Sequence, residues 1–121
     1  MPFKITTITR VAALAPLTAL LLLMTPLPAG AALMTGKTLL EACSEPSGSV
    51  RRSICLGYIA AISDALGSEG VGKRKACFDK DAKLSAMRDA VVAHLEKQQS
   101  AADKPAADGV TVALVNRFAC R

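Results

Sequence analysis

The residues best equipped for chemistry are four cysteines, Cys43, Cys55, Cys77 and Cys120, and one histidine, His94. Reduced cysteines could ligate a metal or act as nucleophiles. The spacings contain no Cys-x-x-Cys pair, and the lone histidine stands apart from all four, which argues against a zinc centre and against dithiol redox catalysis. A nucleophilic enzyme would need a base and an orienting acid beside its Ser or Cys, and no such Ser/Cys-His-acid spacing is present. The remaining chemistry for an even cysteine count is oxidation in pairs, which belongs to an oxidising compartment. The chain therefore reads as a binding protein rather than an enzyme, with no cofactor and no metal.

The N-terminus agrees with that compartment. Met1 to Arg10 carries Lys4 and Arg10 and no acid, Val11 to Met24 is an almost wholly apolar run, and Thr25-Pro26-Leu27-Pro28 breaks it before the small residues Ala29-Gly30-Ala31. This is the order of a cleavable secretory signal peptide. The expected cleavage is after Ala31, with Ala32 as the neighbouring alternative. The apolar run of about 14 residues is short for a membrane span, the competing reading as a retained anchor. Residues 1–31 are thus assigned as signal peptide and residues 32–121 as the mature domain, exported and without a membrane segment after cleavage. Losing Lys4 and Arg10 lowers the formal charge of +5 by two, to +3. With only Tyr58, Phe78 and Phe118 as aromatics, the mature chain lacks the dense basic stripe and stacking residues of a nucleic-acid binder.

The elements that must position the cysteines are helices. The first is expected from Thr35, as N-cap, to Cys43; Ser44–Ser49 is a Pro/Gly/Ser loop; the second runs from Val50 to Leu66. In the second helix, Cys55, Ile59, Ile62 and Leu66 make one apolar stripe, and Ile54, Tyr58, Ala61 and Ala65 another, so it is expected at the buried centre. After the glycine-rich basic loop Gly67–Lys75, a third helix is expected from Asp81 to Lys97, with Leu84, Met87, Val91 and Leu95 on one face. Gln98–Lys104 is a polar connection. Pro105 opens a fourth helix to Ala119, in which Val110, Leu114 and Phe118 share a face, although Gly109 is unfavourable there by about 1 kcal/mol.

Short connections make consecutive helices antiparallel. Cys43 then lies near Cys55 at one pole, and Cys77 near Cys120 at the other. The expected fold is all-α, a small four-helix bundle stapled by Cys43–Cys55 and Cys77–Cys120. By loop-closure entropy these staples contribute roughly 3 and 4 kcal/mol, comparable to the whole stability of so small a domain.

These residues resemble the Rap/Tai family of immunity proteins against type VI secretion effectors. The likeness rests on Gly36-Lys37-Thr38-Leu39-Leu40-Glu41-Ala42-Cys43, on Cys55-Leu56-Gly57-Tyr58-Ile59-Ala60-Ala61-Ile62-Ser63-Asp64-Ala65, on Cys77 ahead of a helix ending Leu95-Glu96, and on Pro105-Ala106-Ala107 opening a helix that closes at Phe118-Ala119-Cys120. The resemblance implies a periplasmic, commonly homodimeric helical protein that binds and blocks a secreted peptidoglycan amidase effector. It further implies that the connection before the last helix, here Gln98, Gln99, Ser100, Ala101, Ala102, Asp103 and Lys104, enters the enzyme's cleft together with the exposed face of the third helix. The chain departs from the family's usual pattern at Phe78-Asp79, at Gln98-Gln99 and at Ala119, where the family often carries proline-containing sequences. The alternative function is a periplasmic stress or chaperone-like helical binding protein. Other readings stay open for single residues. His94 is either a half-buried packing group or a titrating contact, and Asp64 a solvated helix residue or a partner contact. Lys73-Arg74-Lys75 is either a solvated loop or an attractor of acidic partners.

Overall fold

The computed structural model describes residues 33–121; the signal peptide and its cleavage at Ala31 or Ala32 lie outside them. Among the described residues there are four α-helices and no named strand: α1 (Gly36–Ser44), α2 (Val50–Gly67), α3 (Leu84–Lys97) and α4 (Ala106–Arg117), with a short 3-10 turn, Gln99–Ala101, between the last two. Two starts are set by side-chain caps. The Thr35 hydroxyl accepts from the Thr38 N–H, and that of Ser49 from the Arg52 N–H at 3.1 Å, pairing donors that a helix cannot pair internally.

Two ends differ from expectation. Helix α3 begins at Leu84 rather than Asp81, because Asp79–Ala82 closes a separate turn (Ala82 N–H to Asp79 C=O, 2.9 Å) and Lys83 is extended. Helix α4 stops at Arg117 rather than Ala119. Phe118 leaves the helix (φ −122°, ψ 48°) and gives its carbonyl to the Cys77 N–H at 2.8 Å. The tertiary tie to Cys77 outweighs one more helical turn.

The core is built from one stripe of each helix: Leu39 and Cys43; Cys55, Ile59 and Leu66; Met87, Val91 and Leu95; Val110, Ala113 and Leu114. Helix α2 is not buried on both of its apolar stripes. Ile54 is 49 % and Val50 77 % exposed, and Gly57 and Ala61 also face solvent. The buried stripe instead takes in Ser63, whose hydroxyl donates to the Ile59 carbonyl at 2.8 Å and also lies 3.3 Å from the Met87 sulfur. That local bond satisfies the hydroxyl and makes serine tolerable there.

Ser63, late in α2, meets Met87, early in α3, so these two helices are antiparallel; α4 returns to place Phe118 against Phe78, ring centroids 5.0 Å apart. Helix α1 behaves differently. Its C-terminal end is tied to Cys55 in the first turns of α2, and its N-terminal end touches Leu95 in the last turn of α3. It lies across one end of the bundle instead of running its length.

Both disulfides form as expected, Cys43–Cys55 with Cα atoms 5.2 Å apart and Cys77–Cys120 with Cα atoms 4.9 Å apart. Beside the first, the Arg52 guanidinium donates to the carbonyls of Cys43 and Glu45, both at 2.8 Å. These are carbonyls at the open end of α1, where a cation is also favoured by the helix dipole. The Arg51 pairs with Glu41 and Glu45 are exposed and contribute little. Arg52→Ala should therefore lower the unfolding free energy by about 2 kcal/mol in urea titrations of the oxidised protein, whereas Arg51→Ala should change it by less than about 1 kcal/mol.

Candidate functional site

The segment Gln98–Lys104 is fastened to the end of the bundle. Gln98 closes α3 by donating to the His94 carbonyl (3.0 Å), and the tight turns Ala101 to Gln98, Ala102 to Gln99 and Lys104 to Ala101 follow. The segment then docks by its main chain onto α1. The Gly36 N–H donates to the Lys104 carbonyl at 3.0 Å and the Lys37 N–H to the Ala102 carbonyl at 2.9 Å. Thr35 pairs with Pro105 in an antiparallel bridge, and the Ala106 N–H reaches the Met34 carbonyl at 2.9 Å. The first turn of a helix presents unpaired N–H groups and positive potential. Here loop carbonyls meet two of them.

This docking needs a glycine at position 36. A Cβ there would stand 2.5 Å from the Ala101 carbonyl oxygen and 3.4 Å from Leu95 Cδ2. Gly109, in α4, faces the same methyl group: its Cβ would come within 2.8 Å of Leu95 Cδ2. Leu95 is thus wedged between two glycines, and the residue that looked costly within the fourth helix is the one that admits α3.

The docked segment divides into anchors and free side chains. Ala101 and Ala102 are half-buried, whereas Gln98, Gln99, Ser100, Asp103 and Lys104 are exposed. Beside it opens a groove of about 480 Å³, with Leu40, Leu95 and Ala102 as apolar wall and Lys37, Glu96 and Gln99 at its rim. Gly36, Lys37 and Leu40 were not among the sequence-derived site residues. The signal was a glycine in the first turn of a helix, a position where it offers no side-chain cap.

The other singled-out residues lie apart from this groove or play local parts. His94 is half-buried one turn before the end of α3. Asp64 is exposed near the opposite end of α2, where its carbonyl accepts from the Ser68 N–H and hydroxyl. Lys73, Arg74 and Lys75 are exposed in the α2–α3 loop, shaped by Gly70 at φ +92°. Tyr58, on α2, is half-buried beside the start of α4. Partial burial pushes its phenol above the usual pKa of 10.0, the amide of Ala107 opposes this, and the Asp108 carboxylate reinforces it. All four cysteines are oxidised. Among the described residues no cluster of three His, Cys, Asp or Glu side chains is placed to hold a metal. The arrangement offers a rigid polar ridge beside an apolar groove, which suits docking to another protein.

A family model described as Rap1a immunity proteins matches residues 35–120. The chain belongs to that family. No curated protein and no solved structure matches the chain. The Rap1a match starts at the N-cap Thr35 and ends at Cys120, so it takes in both disulfides, the docked segment and the α1 surface that receives it.

Gly36→Ala forces the Ala101 carbonyl away and should cost about 1–3 kcal/mol, with faster hydrogen exchange at Lys37. Gly57→Ala is the control: a Cβ there meets nothing within 4 Å, so improved helix propensity should stabilise the protein by up to about 1 kcal/mol. Equal responses at the two positions, measured by urea unfolding, would refute the docking account.

Proposed function

We propose that this immunity protein acts in the periplasm, where it neutralises a type VI secretion amidase by placing Gln98–Lys104, with the adjoining end of α3, in the enzyme's peptidoglycan cleft. The observation that carries this reading is the docked state of the segment: its main chain is held on α1 before any partner arrives. A loop ordered in advance loses little conformational freedom on binding, which raises affinity for a given set of contacts. Gln98 and Gln99 each present a carbonyl acceptor and two amide donors, suited to the backbone groups of a cleft built to hold peptides. The neighbouring groove, walled by Leu40, Leu95 and Ala102, offers a place for an apolar side chain from the rim of that cleft. Action is by occlusion, without catalysis. Export rests on the signal peptide over residues 1–31, and two disulfides in one small domain support an oxidising destination. No described helix is long and apolar enough to cross a membrane.

Co-expression in the periplasm with any amidase found encoded beside its gene should restore growth. The double substitution Gln98→Ala/Gln99→Ala should weaken inhibition at least about tenfold with little change in unfolding midpoint. Failure against every neighbouring amidase, together with client binding at acid pH, would turn the reading to the chaperone-like alternative.

The partner state we propose is a homodimer in which a second copy covers the open stripe of α2, Val50, Ile54 and Ala61. Val50 and Ile54 are among the exposed large apolar residues of the described chain, and the small, exposed Ala61 beside them allows close helix approach. Sedimentation should show a dimer that Ala61→Arg converts to monomer and Gln99→Ala does not. A wild-type monomer at inhibitory concentrations would sink this arrangement.

A further inference from the structure

The two disulfides differ sharply in access. Cys43 is 2 % and Cys55 0 % exposed, within the apolar core. Cys77 and Cys120 are both exposed, and Cys77 lines an open groove of about 1040 Å³. We propose that Cys77–Cys120 is a thiol–disulfide exchange site of the folded protein, open to a dithiol reductant to which Cys43–Cys55 is closed.

Exchange requires a thiolate to approach a disulfide sulfur, so access and local charge set its rate. Lys83, Arg117 and Arg121 line the same groove, and Lys75 lies two residues before Cys77; Asp79 and Asp81 are the opposing charges on that groove. Three cations against two carboxylates leave the groove's side-chain charge modestly positive, which favours the approach of a thiolate. In the first step one thiolate of the dithiol attacks a protein sulfur, the Cys77–Cys120 bond breaks, and the other cysteine departs as thiolate, leaving a mixed disulfide. The reductant's second thiolate then attacks its own sulfur in that mixed disulfide, closing the reductant's disulfide and releasing the second cysteine. Two electrons and two protons pass in all from the dithiol to the protein.

Losing this staple gives up its loop-closure contribution to stability, but the contacts among the helices do not run through it. Val110 and Leu114 of α4 remain fully buried against the other helices, and Phe118 is held by the Cys77 N–H and the Phe78 ring as well as by Cys120. The Gln98–Lys104 segment is at the other end of the bundle, fixed by α1 and the buried staple. Exchange at Cys77–Cys120 therefore loosens the chain end without releasing that segment.

The test treats the folded, oxidised mature protein with dithiothreitol under native conditions, quenches with an alkylating agent, and maps the labels by mass spectrometry. A doubly labelled species carrying Cys77 and Cys120 should appear about a hundredfold or more before any label on Cys43 or Cys55, because the buried pair must wait for a large opening of the core. Far-UV helicity and exchange protection at Lys37 should persist in that species. The variant Cys77→Ser/Cys120→Ser, which retains only the buried pair, should resist the same treatment. Four labels arriving together with loss of helicity, first labels on Cys43 or Cys55, or no labelling short of denaturant would each overturn the proposal.

Discussion

The site end of the molecule depends on one steric fit: the Leu95 side chain held between Gly36 and Gly109. Leu95 ends the apolar stripe of α3; its methyl group takes the space a Cβ of Gly109 would need and lies in contact range of Gly36, where the Ala101 carbonyl is what excludes a Cβ. Because of that fit, α1 and α4 close on the same side chain, and α1 can lie across the end of the bundle. Only then do the Gly36 and Lys37 N–H groups meet the Lys104 and Ala102 carbonyls. An apolar contact sets the position; the hydrogen bonds then select the conformation of the loop. Their net contribution is about 1 kcal/mol each. Their greater consequence is that the helix end has no unpaired donors to draw it apart.

The two ends of the bundle are secured by different means. At the site end, a buried disulfide, the Arg52 guanidinium and the docked segment act on one short helix from several directions. At the far end, a solvent-exposed disulfide and the Phe78–Phe118 contact hold the chain terminus. A nine-residue helix such as α1 would be marginal by itself in water. It persists because tertiary restraints replace the length it lacks, and those restraints converge at the docked segment Gln98–Lys104.

Much of this was legible in the sequence where the signal was local. Thr35 and Ser49 announce their helices by capping chemistry, and Leu84, Met87, Val91 and Leu95 mark α3 by their spacing. The cysteine pairing followed from helix polarity. The second stripe of α2 misled because a small residue such as Ala61 gains little from burial and sits as readily in water, whereas Ser63 is accommodated inside by a bond to its own helix. The early stop of α4 and the docking of Gln98–Lys104 were not legible, since both are decided by groups far away in the chain: Cys77 in one case, Gly36 and Lys37 in the other. Gly109 shows the same limit from the opposite side. Its propensity counts against a helix, and only the approach of Leu95 reveals why glycine is there.

The manner of docking bears directly on how such a protein could change targets. The segment is attached through the carbonyls of Ala102 and Lys104 and through the half-buried methyl groups of Ala101 and Ala102. A backbone carbonyl accepts the same hydrogen bond whatever side chain its residue carries. Gln98, Gln99, Ser100, Asp103 and Lys104 can therefore be replaced without moving the main chain that presents them, provided Gly36 keeps its space. Conformation is held by main chain and small residues, so on the reading proposed above the outward side chains are free to set which surface the segment fits.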